Sequence, residues 1–156
     1  MFESLYDKIV GQLSTSDIEA DDRDAAVRLA TAVLMVDVAL VDSSFDETEF
    51  DRMVGLIKKH FGLGTQEAAD LINAANAKAD EQVSVHEFTK LLHEQLSQDE
   101  KARVIQLLWT IAYSDGQLHK YENSLVLKVS ELLNVSHERV MQIKQDAESA
   151  AWSAEQ

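Results

Sequence analysis

The strongest constraint on this chain is a repeat. The stretches "ALVDSSFDETEFDRMVGLIKKHFGL" (39–63) and "IAYSDGQLHKYENSLVLKVSELLNV" (111–135) align so that Asp42 meets Asp115 and Glu49 meets Glu122. The offset is 73 in both pairs (115 − 42 and 122 − 49). Phe45 then falls on Leu118, Met53 on Val126 and Leu56 on Val129, so the apolar positions after the acidic turn coincide as well. Each copy reads as an apolar helix, a tight acidic turn and a second helix. Two such copies predict a pseudo-twofold pairing of helical hairpins, with repeat units at about 25–62 and 98–135.

Nothing in the remaining sequence opposes helix. Proline is absent from the 156 residues and only five glycines occur, so the strongest helix breakers are missing or few. Apolar residues recur at helical spacing, with breaks at short polar clusters. The pattern predicts helices at about 2–13, 22–42, 46–61, 65–78, 84–96, 98–115, 119–133 and 136–152. The fold class is all-α, a single domain spanning 1–156 with seven to eight helices and essentially no strand. Ser84 with Glu87, Ser97 with Glu100, and Asp46 with Glu49 each have the form of a capping box. Two segments, "LATAVLMVDVALV" (29–41) and "VIQLLWTIAY" (104–113), are apolar on nearly all faces and are expected at the centre of the first and second halves.

The acidic turns raise the functional question. "SDGQLHKYE" resembles the second half of an EF-hand loop, with Asp115, Gly116, Leu118 and Glu122 at the fifth, sixth, eighth and twelfth loop positions. The first and third positions are then Ile111 and Tyr113, or Val38 and Leu40 in the other copy, and none of these carries a carboxylate. An EF-hand is excluded. One remaining reading is structural: Glu49 and Glu122 stand at the third position of a helix, where capping and the helix dipole favour a carboxylate. The other is a divalent cation site. Asp42 and Asp115 both end apolar helices, where the dipole disfavours negative charge, and a cation shared with the following Glu would reverse that penalty. All-oxygen ligation by Asp115, Glu122, Asp42 and Glu49, with Asp46 and His119 as secondary ligands, selects Ca²⁺ or Mg²⁺.

Other chemistry has little support. Without cysteine there are no disulfides, thiolate metal sites or thiol nucleophiles. The histidines (His60, His86, His93, His119 and His137) lack zinc spacing, and His60, His86, His93 and His137 are expected at the surface or boundary. No phosphate-binding glycine loop or nucleophile elbow occurs, so an enzyme is not expected. Asp80 and Glu87 repeat the separation of seven and suggest another helix junction. Asp37, inside the most apolar helix, is expected to hold an ion pair or hydrogen bond. The net charge of −14 repels phosphate backbones and attracts cations and basic partners, so nucleic acid is not an expected ligand. The segment 129–145 has the look of a helix-turn-helix but carries two basic and two acidic residues besides His, which gives phosphate no positive face. With no secretory leader and no uncharged span long enough for a bilayer, a cytoplasmic location is expected.

The paired motif is an apolar helix ending in "VD" or "SDG", an apolar residue three positions after the Asp, a Glu at plus seven, and a closing "FGL" or "LNV". It resembles the TerB-like tellurite-resistance family over about Ala25 to Ala147. That resemblance implies an internally duplicated all-helical binding or scaffolding module of cytoplasmic stress responses, with a divalent-metal site at Asp42, Glu49, Asp115, Gly116 and Glu122. Ser43 replaces Gly in the first copy, which weakens that turn as a site. The expected partner is a protein, basic or membrane-associated. Similar domains precede a J-domain in some co-chaperones; none follows Gln156, so a co-chaperone role is expected to need a separate partner. The alternative is a metal-free interaction scaffold whose acidic residues are caps.

Overall fold

The computed structural model describes residues 20–41, 46–80, 85–114, 118 and 120–155. These form seven helices and no strand among the described residues: α1 (Ala20–Leu40), α2 (Glu47–Phe61), α3 (Thr65–Asp80), α4 (Val85–Gln95), α5 (Gln98–Ala112), α6 (Lys120–Leu132) and α7 (His137–Glu155). The all-helical expectation holds, with helix ends within three residues of those read from periodicity. The expected helix at 2–13 lies outside the described residues, as does Ser84 of one capping box.

Why α1 is central follows from its sequence. It packs on α2, α3, α4, α5 and α6. Leu29, Leu34, Met35, Val36 and Val38 are all essentially inaccessible, and a helix touched on several sides must be apolar on several sides. Its buried Thr31 satisfies its hydroxyl within the helix, donating to the Val27 carbonyl at 2.8 Å. α5 holds the corresponding place in the second half, packing on α1, α6 and α7 and burying Ile105, Leu108 and Trp109 completely.

Local signals explain the helix ends. Ser97 accepts from the Glu100 amide while the Glu100 carboxylate accepts from the Ser97 amide, a complete capping box that starts α5. Asp46 caps α2, its Oδ1 accepting from the Glu49 amide at 2.8 Å. Gly62 ends α2 at φ +66°, and Asn134 follows α6 at φ +59°. Glycine takes this left-handed conformation without steric cost, and asparagine tolerates it better than most side chains.

The repeat keeps its register only part of the way. The two helices after the acidic turns begin 73 apart (120 − 47), and Met53 and Val126 are both fully buried. Further on, Val129 is fully buried whereas Leu56 is only partly covered; Ile57 is the fully buried residue in that region of α2. The left-handed stops are 72 apart (134 − 62). The inward step is four residues in α2 and three in α6, both of which stay on one helix face, so Ile57 rather than Leu56 is the counterpart of Val129.

Buried polar groups are few. Lys101, 3% exposed, donates from Nζ to Nδ1 of His93 at 2.7 Å and ties α5 to α4. Burial pushes its pKa down. No described helix is long and apolar enough to cross a membrane.

Candidate functional site: the acidic helix junctions

The first junction is described on its α2 side. Asp46 and Glu49 stand at the start of that helix, one as its cap and the other at its third position, as the spacing predicts. Glu49 Oε1 pairs with Arg52 Nη1 at 3.0 Å, one turn along. The same Nη1 donates to Ser114 Oγ at 3.0 Å across 62 residues of sequence. Ser114 immediately precedes Asp115 in the sequence, so Arg52 joins the start of α2 to the residues that follow α5.

The second junction is described at its flanks. α5 closes at Tyr113, which is buried. Burial pushes the Tyr113 phenol pKa up, and the Glu148 carboxylate of α7 adds to this by its charge and by a hydrogen bond. Glu122 lies in the first turn of α6 and is only 5% exposed, a burial that a carboxylate sustains only with hydrogen bonds or a counter-charge. Asp42, Asp115, Gly116 and His119 lie outside the described residues. Among the described residues, no three His, Asp or Glu side chains converge as a cation site.

The two helix starts differ in how far their carboxylates are buried. Asp46 Oδ1 is engaged as a cap, and Glu49 already faces a guanidinium, which occupies the place where a metal charge would act. The second turn carries the more buried carboxylate.

Asp80 and Glu87 do flank a helix junction, between α3 and α4. Asp37 is a correction to expectation: no ion pair or hydrogen bond reaches it among the described residues. Burial instead raises its pKa to about 6, so the carboxyl meets its apolar setting by holding its proton more tightly. His86, His93 and His137 are exposed as expected, while His60 is partly buried.

Sequence reasoning missed Arg52 as the link. Its pairing with Glu49 has a local signal in the three-residue spacing, but its reach to Ser114 has none.

Comparison with curated proteins and with solved structures gave no match. The sequence profile described as tellurite resistance protein TerB matches residues 28–145. That span takes in α1 from its third turn, all of α2 to α6, and the first half of α7, and with it both acidic junctions. The chain belongs to the TerB tellurite-resistance family.

Proposed function

We propose that the chain is a non-enzymatic stress-response module that binds a divalent cation and/or a protein partner through its acidic helix-junction residues. The observation that supports this reading is the Arg52 bridge between Glu49 and Ser114, which ties the start of α2 to the last described residue before the second turn. Asp115 and Glu122 are the principal ligands in this proposal, and Asp42, Glu49, Asp46 and His119 assist. Oxygen donors suit Ca²⁺ or Mg²⁺. A basic protein segment is the partner chemistry favoured by a chain of net charge −14 acting in the cytoplasm.

Titration of chelator-stripped protein with Ca²⁺, Mg²⁺, Mn²⁺ and Zn²⁺ tests it by melting temperature. A ligand at about 100 times its Kd stabilises by ~2.7 kcal/mol, a shift of several degrees for a domain this size. Asp115→Asn with Glu122→Gln is expected to abolish the shift while leaving the apo fold intact. Absence of a shift with every ion at millimolar concentration refutes the cation reading.

A second reading has its own observation. Asp46 acts as a helix cap, and if the remaining acidic residues do the same, the module is a metal-free interaction scaffold. In that case the double variant unfolds even without metal.

A further inference from the structure

A cavity lined by charged side chains is built from residues other than those of the acidic junctions. It has a volume of about 520 Å³ and is walled by the first turns of α1, the end of α2, the end of α4 and the first half of α5. Three arginines line it, Arg23, Arg28 and Arg103, in a chain with 14 Lys and Arg against 28 Asp and Glu. Such a concentration of guanidinium groups runs against the charge of the whole molecule.

None of the three is committed to an ion pair among the described residues. Arg28 lies over the Phe61 ring, 5.9 Å from its centroid, which fixes its plane without neutralising it. Arg23 and Arg103 are exposed. Both help to lower the Glu100 pKa, after the stronger effect of its capping hydrogen bond, so both lie near one fixed anion. Glu100 Oε1 is engaged by the Ser97 amide and stays bound to the helix start. Arg23 also stands in the first turn of α1, where the helix dipole disfavours a cation, so capping does not account for it. His60, also in the wall, has its pKa lowered by burial and then by Arg103, which leaves a neutral imidazole able to donate one hydrogen bond. Asp24 is the second carboxylate at the rim.

The floor is apolar. Val27 and Val104 are buried beneath the charged rim, with Leu96 and Phe61 beside them. Forked guanidinium donors recognise planar or tetrahedral oxyanions, and the volume suits a small molecule. We infer that this cavity is a binding site for a small organophosphate, its phosphate held among Arg23, Arg28 and Arg103 and its apolar body against Val27, Phe61 and Val104. A nucleic-acid backbone is disfavoured because its further phosphates would meet the field of a chain of net charge −14. This site is independent of the acidic junctions and of any metal bound there.

Calorimetric titration of the full chain with phenyl phosphate, inorganic phosphate and sulfate tests the inference. Phenyl phosphate is expected to bind at least about fivefold tighter than inorganic phosphate, and both tighter than sulfate. Arg23→Gln with Arg103→Gln, at two exposed positions, is expected to weaken phenyl phosphate binding at least about tenfold, with helical content and melting temperature retained. In parallel, the His60 pKa followed by NMR is expected to rise on saturation, because a bound dianion offsets Arg103. Three results each overturn the inference: no binding at about 10 mM, unchanged affinity in the folded double variant, or a His60 titration unmoved by saturating ligand.

Discussion

Asp37→Asn is expected to stabilise the protein at neutral and alkaline pH and to do nothing at low pH. The carboxyl sits in α1, and burial raises its pKa from an ordinary value near 3.8 to about 6. The sign follows from proton counting. Between those two values the folded chain binds more protons at this site than the unfolded chain, so stability falls as pH rises through that window and stays lower above it. The full gap corresponds to ~3 kcal/mol. Because Asp37 keeps part of its surface in water, screening reduces this to about 1–2 kcal/mol. Asparagine has nearly the same shape and cannot ionise, so it removes the penalty. The assay is urea unfolding of wild type and variant in parallel at pH 4, 5, 6, 7 and 8, read as the difference between the two proteins so that other carboxylates cancel. The difference should be near zero at pH 4, grow between pH 4 and 6, and level off at about 1–2 kcal/mol. A variant less stable than wild type at pH 8 refutes the reasoning, because it means the ionised carboxylate gains more from its surroundings than burial costs it. A constant gap across the pH range refutes it too, since that would place the effect in packing.

Ser97→Ala should cost about 1 kcal/mol by chemical denaturation, since it removes the hydroxyl half of the capping box that starts α5. Gly62→Ala should cost a similar ~1 kcal/mol despite open space around its Cβ position, because φ is +66° there; equal stability would show that the turn relaxes freely. Arg52→Met and Ser114→Ala should be non-additive, with a coupling of about 0.5–1 kcal/mol in a double-mutant cycle; strict additivity would mean that the 3.0 Å contact contributes nothing in solution.

The helices were legible because their causes are local. Three- and four-residue apolar spacing, a Ser97–Glu100 box and a Gly after Phe61 act within a turn or two, so reading along the chain recovers them. The repeat was legible at its start for the same reason: Glu49 and Glu122 both fall in the first turn of a helix, where spacing alone places them. Its far end was misread because Leu56 and Ile57 are both apolar, and which one turns inward is decided by neighbouring helices. Asp37 was misread in kind: a half-buried acid can be paired or can stay unpaired with a raised pKa, and sequence does not distinguish the two. The cavity was invisible for a third reason. Arg23, Arg28, His60 and Arg103 come from three helices, and only packing brings them into one wall.

The central position of α1 limits what a duplicated sequence can become. Because α1 touches α5 and α6 as well as α2, α3 and α4, the first half cannot retain its core alone: detaching residues 98–156 would expose the side of α1 that the second half covers. Duplication here does not yield two exchangeable modules. The chain should therefore melt in one cooperative transition, with calorimetric and van't Hoff enthalpies equal. A fragment ending near Ser97 should collapse without fixed packing.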